Sequence, residues 1–378
     1  MIIRENDISY LYENLFNFFE YAHKNPEIGF FCFETSKFIQ KELNRNGITD
    51  FILVGNSIIG KIKGEKEGET IGLRADIDGL NIIEDTSILY KSTNGYMHAC
   101  GHDAHFSILL FTLIYINAHL KDLSGEIIFI FQEAEEGPYP GGGYKIVNSY
   151  WMKEIDEIYA LHVTNNLNIG VIGMNESEAM ASSDTFRINI IGRGGHVAKL
   201  DKLIDPIYYG ISFYNKVVKL EEKYKNEIIK IASFNGGNTT NVIPNNITIE
   251  GTVRTYNELN RKSICNDIND ILISLKKKYN IEYNLVYDFG YPALVNDIEI
   301  VKNTFKTLKN ANLEVVILKD RQMTSEDFAY YLEKYKGCFM WLGNKVDNDD
   351  IDLHNSKFMV NKKTLIYGIL VFLNIIFN

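Results

Sequence analysis

Two spacings of apolar residues run along the chain, one typical of helices and the other of strands. Between Ser9 and Tyr21 apolar side chains recur every three or four positions, which predicts an amphipathic helix. Continuous apolar runs such as Glu126–Phe131 are typical of strands that are buried on both faces of a parallel sheet. The segments predicted up to residue 176 are helices at 9–21, 34–45, 106–119 and 146–152 and strands at 51–54, 57–63, 70–74, 126–131 and 157–163.

The order of these segments predicts two domains, as expected for a chain of 378 residues. Helix and strand alternate from residue 51 onward, which favours a mostly parallel sheet with helices on its faces. The character changes near Ser177, where the segments follow in the order strand, helix, strand, strand, helix, strand. That order is ferredoxin-like and predicts a two-layer α+β module. Its segments are strands at 185–191, 228–234, 247–256 and 282–288 and helices at 205–225 and 259–278.

After this module the alternation of helices and strands resumes. Met323–Phe328 has the pattern of a capped helix start, with Thr324 or Ser325 as the cap, and a buried strand follows at Cys338–Gly343. The closing run 365–377 is apolar but too short and interrupted to span a bilayer, so it predicts a final buried helix. We therefore predict an α/β domain formed by residues 1–176 and 289–378 and an inserted α+β domain formed by residues 177–288.

Charge and cysteine usage narrow the class of protein. The formal net charge of -10 argues against nucleic acid as a partner, because binding to phosphates needs a basic surface. The four cysteines are widely spaced and form no paired framework, and the N-terminus has no apolar core of the kind that a signal peptide requires. Reduced thiols in a cytoplasmic protein follow most simply. We expect neither a nucleic acid nor a membrane as a partner.

The stretch Met97–His105 contains three of the eight histidines and one of the four cysteines. Cysteine thiolate and neutral imidazole bind borderline transition metals, and Gly101 between Cys100 and His102 lets the backbone turn tightly. A plain helix start with Asp103 as its cap is the alternative, but the density of metal-binding side chains favours a metal site. One loop cannot complete a coordination sphere, so distant residues must contribute to it.

Several acidic residues and histidines lie near the ends of predicted strands. Chemistry in an open α/β sheet usually takes place at the carboxyl ends of its strands. Two neighbouring carboxylates, Glu135 and Glu136, can divide the work there, one binding metal while the other takes a proton from water. For Asp78, which precedes Gly79, a turn role is equally favoured, and His23 alone is more typical of a structural histidine. The residues in such positions are Asp76, Asp78, Glu133, Glu135, Glu136, His162 and His354.

Taken in order, these motifs resemble those of the M20 family of metallo-aminoacylases and carboxypeptidases. The likeness covers nearly the whole chain and is greatest to the branch of hippurate hydrolases, auxin-conjugate hydrolases and N-acetyldiaminopimelate deacetylases, above all to the last of these. The resemblance implies a metallopeptidase catalytic domain with an inserted dimerisation or lid domain. The motifs are His23-x-x-Pro26-Glu27, Arg74-Ala-Asp-Ile-Asp-Gly79, Met97-His-Ala-Cys-Gly-His-Asp103, Ala134-Glu-Glu-Gly137, Leu161-His162, Gly194-Gly-His196, Asn241-Val-Ile-Pro244, Gly251-Thr-Val-Arg254, Ser325-Glu-Asp-Phe328 and Leu353-His354.

The resemblance implies a metal-dependent amidohydrolase that cleaves the linear amide bond of a small N-acyl amino acid. It implies two divalent ions, and a mixed set of thiolate, imidazole and carboxylate ligands suits zinc, manganese, cobalt or nickel. Glu135 is then the general base, and Asp76 is counted among the catalytic residues. The implied metal ligands are Cys100, His102, Glu136, His162 and His354.

The inserted segment is implied to supply the remaining site residues. His196, reaching the other subunit of a homodimer that forms through this domain, stabilises the tetrahedral oxyanion. Asn241 and Arg254 hold the carboxylate of the substrate, a task suited to the planar donor fork of arginine.

Two departures from the family pattern bear on specificity. After His196 the family continues with small residues and a proline, whereas this chain has Val197-Ala-Lys199-Leu200-Asp201, and Glu133 stands where the family has proline. Both leave the implied ligands untouched but affect the preference for acyl group and side chain. A broad aminoacylase or hippurate-type hydrolase is therefore the alternative. A non-catalytic homologue that keeps the fold as a binding module is disfavoured by the intact Glu135 and the complete ligand set.

Overall fold

Contacts along the chain divide it into two units, one of which interrupts the other in sequence. The computed structural model describes residues 1–279, 281–345 and 351–378, apart from the side chains of residues 153, 154, 200 and 201. The first unit comprises Met1–Ala179, Val295–Asp320 and Asp327–Asn378, and the second comprises Met180–Leu294 and Arg321–Glu326. The dimerisation role expected of the inserted segment stays a prediction.

The helices and strands follow the predicted order closely. In chain order the strands are β1 Phe51–Val54, β2 Ser57–Lys63, β3 Lys66–Asp76, β4 Ser124–Gln132, β5 Glu157–Asn168, β6 Val171–Met174, β7 Glu178–Met180, β8 Asp184–Ile191, β9 Gly195–His196, β10 Ile228–Asn235, β11 Val242–Ile243, β12 Asn246–Arg254, β13 Glu282–Asp288, β14 Leu294–Val295, β15 Glu314–Ile317 and β16 Lys336–Lys345. The helices are α1 Glu5–Ile8, α2 Tyr12–Lys24, α3 Phe33–Arg45, α4 His102–Ala118, α5 Gly141–Ile146, α6 Pro206–Lys223, α7 Glu258–Tyr279, α8 Ile298–Asn310, α9 Ala329–Leu332 and α10 Lys362–Ile376.

The first unit is built on a sheet with the strand order β1-β2-β4-β3-β5-β16-β6-β15. Its centre, β4, β3, β5 and β16, is parallel, and antiparallel pairs flank it at β2 with β4 and at β16 with β6. The predicted mostly parallel α/β sheet is confirmed. Because parallel strands end at a common edge, the last residue of β3, Asp76, lies directly opposite the last residue of β4, Gln132.

Helix α4 carries part of the Cys/His stretch into the core of the first unit. Almost every residue of α4 is buried, as expected for a helix that is apolar on all sides, and α10 packs against it. Gly101 precedes α4 with φ of 84°, and a Cβ there would lie 2.3 Å from Val163 Cγ2. Glycine is therefore required between Cys100 and His102. In the described part of the chain, we find no helix whose length and apolar content would allow it to cross a bilayer.

The second unit contains the predicted strand-helix-strand-strand-helix-strand order. Its sheet has the order β10-β12-β8-β13, and each neighbouring pair is antiparallel. Along β8 buried residues alternate with more exposed ones, which is the pattern of a strand with one face on a core. Helices α6 and α7 pack against each other and against this sheet. The ferredoxin-like fold of this segment is confirmed.

Two predicted helices are wrong. The helix expected at 146–152 is instead α5, which ends at Ile146, followed by a short 3-10 turn at Tyr150–Glu154. Three consecutive glycines form the start of α5 because the chain passes very close to its neighbours there: a Cβ on Gly142 would lie 1.9 Å from the Glu133 carbonyl oxygen. The helix predicted from Met323–Phe328 begins only at Ala329, with Phe328 rather than Thr324 or Ser325 as its N-cap and no side-chain cap hydrogen bond. The carbonyl oxygens of Gln322 and Thr324 instead accept the N–H of Ala181 at 3.0 Å each, and the backbone bends at Met323 and Thr324.

Candidate metal centre

The first unit brings together all five side chains that were predicted as metal ligands. The Cys100 Sγ atom lies 3.3 Å from His162 Nε2 and 3.3 Å from His354 Nε2. The Glu136 Oε1 atom lies 3.0 Å from His354 Nε2 and 4.0 Å from His102 Nε2. Within each of the triplets Cys100, His102, His162 and Cys100, Glu136, His354, the potential ligand atoms all lie within 4.8 Å of one another. Two overlapping ligand groups thus share the Cys100 thiol.

Backbone geometry holds two of these residues in unusual conformations. His354 has a φ of 63°, and its N–H donates to the Ala99 carbonyl oxygen at 2.8 Å, which ties the last ligand to the Cys100 loop. Ala134, just before Glu135 and Glu136, has a φ of 59°. Left-handed backbone at a residue other than glycine costs about 1–3 kcal/mol and persists where surrounding contacts enforce it.

His162 does not end its strand, contrary to the sequence-based expectation. Strand β5 continues to Asn168 because β16 remains paired with it through this region, whereas the pairing with β3 stops at Ala160. The His162 Nδ1 atom lies 2.8 Å from the Val163 carbonyl oxygen and must donate to it, so its Nε2 atom is left to face Cys100. Burial holds the pKa of His162 well below its ordinary value. A neutral imidazole of this kind is suited to bind a metal.

Two carboxylates lie behind the ring of His102. Its Nδ1 atom lies 3.3 Å from Asp78 Oδ1 and 3.7 Å from Asp76 Oδ1. Both ring nitrogens are buried, and neither makes a hydrogen bond of good geometry to the described residues. Burial alone would lower the pKa of His102, but Asp76, Asp78 and Glu136 raise it to about 10. This corner of the site therefore favours a positive charge, which a bound cation would supply.

Asp78 also holds the backbone of the two glutamates. Its Oδ1 atom accepts the N–H of Glu135 at 3.1 Å, and its Oδ2 atom accepts the N–H of Glu136 at 3.0 Å. The Glu135 Oε2 atom lies 3.9 Å from His102 Nε2 and the residue is buried. Asp78, for which a turn role was equally favoured from sequence, thus holds the backbone of the predicted base Glu135 and of the predicted ligand Glu136.

Beneath the site, a buried ionic network is centred on Arg74. Arg74 donates to Asp76 Oδ2 and to Asp327 Oδ1, both at 2.7 Å. Asp327 accepts in addition from the side-chain amide of Gln132 at 2.7 and 2.8 Å and from the N–H of Gly143 at 2.9 Å. Since Gln132 and Gly143 lie on either side of the segment that carries Glu135 and Glu136, one carboxylate fastens both ends of that segment.

The Asp76 carboxylate contacts the histidines next to the site. Its Oδ1 atom accepts from His105 Nδ1 at 2.7 Å, and His105 Nε2 accepts the N–H of Val163 at 3.0 Å. Burial alone would raise the pKa of Asp76, but His102, His105 and Arg74 hold it well below its ordinary value. These contacts indicate that Asp76 positions its neighbours, and its catalytic role stays a prediction.

A profile of the peptidase family M20/M25/M40 matches residues 72–378. The chain belongs to this family. Thermostable carboxypeptidase 2 of Saccharolobus solfataricus is 31% identical over 97% of this chain and 95% of its own length. N-acetyldiaminopimelate deacetylase of Geobacillus sp. strain WCH70 is 32% identical over 92% of this chain and 93% of its own length. The Bacillus subtilis YXEP protein, described as a dinuclear metal binding peptidase from the M20 family, is 28% identical with a TM-score of 0.85 over 98% of both chains.

The donor set fits the metal chemistry of an M20 protein. Thiolate, imidazole and carboxylate together suit a borderline divalent cation. Burial raises the pKa of the Cys100 thiol well above its ordinary value, with Glu136 and Glu135 adding to the effect. A thiolate at this position therefore needs a nearby cation to balance it, and the buried His102 Nε2 supplies a further donor.

The remaining predicted site residues of this M20 chain lie in the second unit. His196 in β9 is exposed, and β9 pairs with β11, so that the N–H of Val197 donates to the Asn241 carbonyl oxygen at 3.1 Å. Arg254 ends β12, and burial lowers the pKa of its guanidinium. The structure thus places His196 beside the Asn241 segment, and Arg254 lies on another strand.

His23 takes part in a second buried cluster of the M20 fold. Its Nδ1 atom lies 2.6 Å from Asp103 Oδ2 and its Nε2 atom lies 3.3 Å from Glu84 Oε1. Burial alone would lower the pKa of His23, but Asp103 and Glu84 raise it to about 9. The structural role favoured for His23 from sequence fits these contacts. Its partners were not foreseen, because nothing in the local sequence relates it to Asp103 or Glu84.

Proposed function

We propose that this chain hydrolyses the amide bond of an N-acyl amino acid, and most specifically that it is an N-acetyl-L,L-diaminopimelate deacetylase acting in lysine biosynthesis. The observation that carries the proposal is the convergence of the two ligand groups on Cys100, with the Glu135 carboxylate 3.9 Å from His102 Nε2. The general hydrolytic activity is supported by membership of the family. The specific substrate is supported by the likeness to a deacetylase of that name.

The proposed reaction assigns separate tasks to the residues of the first unit. Cys100, His102, Glu136, His162 and His354 would hold two divalent ions, which when bound polarise a carbonyl oxygen and lower the pKa of water. Glu135 takes a proton from the attacking water and returns it to the leaving nitrogen. A bond forms between the water oxygen and the carbonyl carbon, the carbon–nitrogen bond breaks, and the products are a carboxylate and an amine, which takes up the second water proton and leaves as an ammonium. Asp78 keeps Glu135 in position through its backbone N–H.

The second unit is proposed to bind the rest of the substrate. Arg254 and Asn241 would hold the substrate carboxylate, because arginine and amide donors can bind it with planar geometry. His196 would stabilise the oxyanion of the tetrahedral intermediate in a neighbouring subunit. The four cysteines are free thiols, which supports a cytoplasmic location.

A panel of three substrates tests the proposed activity. With the metal-loaded chain, kcat/KM for N-acetyl-L,L-diaminopimelate should exceed that for hippurate and for N-acetylmethionine by about tenfold or more, since a difference of even one contact between substrates is worth about 10- to 200-fold. Faster turnover of hippurate would eliminate the specific substrate and favour the broad hydrolase. No turnover of any of the three would favour a non-catalytic homologue.

The proposed homodimer is supported by an apolar stripe on α6. Tyr208, Ile211, Tyr214 and Val218 recur at helical spacing and are 57%, 51%, 44% and 41% exposed. We expect the full chain to sediment as a dimer and Ile211→Asp to shift it to a monomer with much reduced kcat. A monomeric variant that kept full activity would remove the role of His196 across the subunit boundary.

A further inference from the structure

Glu133 lies two residues before the proposed base and has a buried carboxylate with a partner outside the site. Its Oε1 atom accepts the N–H of Asn56 at 3.0 Å, and its Oε2 atom accepts the side-chain amide of Asn56 at 2.8 Å. The N–H of Glu133 in turn donates to Ser57 Oγ at 3.1 Å. The side chain of Glu133 is thus bonded to the turn between β1 and β2, and its backbone is bonded to the first residue of β2.

This turn is shaped to receive the carboxylate. Gly55 has a φ of 67°, and a Cβ there would lie 2.1 Å from Glu133 Oε1. The Asn56 amide also donates to the Phe30 carbonyl oxygen at 2.9 Å, so one side chain joins the turn, the α2–α3 connection and the loop that carries Glu133. Such a contact depends on the residue type at this position, because proline, for example, offers neither an acceptor side chain nor an N–H.

We propose that Glu133 and Asn56 form a positioning pair that fixes the loop carrying Glu135 and Glu136. The inference rests on the proposed function, in which Glu135 is the base and Glu136 a metal ligand. Three carboxylates would then hold this loop: Asp327 at its two ends, Asp78 at the N–H groups of the glutamates, and Glu133 at the entry.

The left-handed backbone of Ala134 gives a reason why the start of this loop, at Glu133, is held by separate hydrogen bonds. The backbone turns at Ala134, with φ of 59°, directly between Glu133 and Glu135. Without the bonds to Asn56, Glu133 can move and Ala134 can relax toward an ordinary conformation. The carboxylates of Glu135 and Glu136 would then shift together. A displacement of about 1 Å at a reacting group can lower a rate by about a hundredfold.

The test combines kinetics with metal affinity in Glu133→Ala, Asn56→Ala and the double variant. We expect each single variant to lower kcat by about 10- to 100-fold with KM little changed, and to weaken zinc binding, measured by competition with a chromogenic chelator, by about tenfold. The double variant should be no worse than the worse single one, because both act through one contact. Glu133→Gln, which keeps one acceptor oxygen, should fall between the wild type and Glu133→Ala.

The control is Asp156→Ala, which removes an exposed carboxylate just before β5 in the same unit. Asp156 Oδ2 also accepts a backbone N–H, that of Thr70, at 2.9 Å. This variant should lower Tm and leave kcat and zinc affinity unchanged. Wild-type kcat and zinc affinity in folded Glu133→Gln and Asn56→Ala, or multiplying losses in the double variant, would overturn the pairing. If the wild type hydrolysed none of the three substrates, the proposed function would fail, and zinc affinity would still decide the positioning role.

Discussion

Glu135→Gln is expected to lower kcat by about 10²- to 10⁴-fold, the contribution typical of a positioned general base. The glutamine is nearly the same size and keeps the backbone N–H that Asp78 accepts, but it cannot take a proton from water. Steady-state kinetics on the best N-acyl amino acid, with elemental analysis of the same samples, measures both effects. The metal content of the purified variant should equal that of the wild type.

The neighbouring substitution Glu136→Gln serves as the control for this prediction. Glu136 belongs to a ligand group with Cys100 and His354, so its loss should reduce the metal content as well as kcat. A Glu135→Gln variant that retained activity would show that another residue is the base. Equal metal loss in the two variants would show that the two glutamates do not divide their tasks as proposed.

Arg74→Met is expected to lower the free energy of unfolding of the first unit by about 3–5 kcal/mol, the usual cost of removing one partner of a buried ion pair. Arg74 is 2% exposed and is paired with Asp76 and Asp327, which are equally buried. Without the guanidinium, two carboxylates remain in the interior with no cation between them. Denaturant unfolding followed by tryptophan fluorescence reports on this unit, since both Trp151 and Trp341 lie in it.

Arg45→Met provides the matched control in the same unit. The Arg45 side chain is 76% exposed, and its contact with Glu42 spans 3.8 Å on the surface of α3. Exposed pairs of this kind contribute about 0–1 kcal/mol, so the unfolding curve should hardly move. If Arg74→Met were no more destabilising than Arg45→Met, the network beneath the site would contribute nothing to stability.

The sequence predicted the candidate site best where metal-binding or acidic residues lie at the ends of predicted strands. Cys100 and His102 flank a glycine in a stretch rich in histidine, and Glu135 and Glu136 follow a continuous apolar run, so their proximity at one sheet edge followed from the parallel order of the strands. The sequence correctly predicted that His162 lies near that edge, but the prediction assumed that its strand ends there. Its strand runs on past it because of pairing with β16, which local sequence does not reveal.

What local patterns could not supply is the pairing of residues far apart in the chain. Arg74 and Asp327 are separated by 253 positions, and the local sequence around either residue does not indicate that they pair. Each belongs to one of the motifs that resemble the family, and in the structure the two side chains neutralise each other's charge and join distant segments of the chain. Glu133 is similar: sequence marked it as a departure from the family, but its partner Asn56 lies 77 positions away on a hairpin turn.

The contact between Cys100 and His354 spans 254 positions, and the whole second unit is encoded between them. During synthesis, Cys100, His102, Glu136 and His162 leave the ribosome long before His354 does, and domains generally fold in that N-terminal to C-terminal order. Any cation bound early is held by an incomplete set until translation is almost finished. If these residues bind metal as proposed, full metal loading is a late event in synthesis, and chains truncated before residue 354 should not complete it.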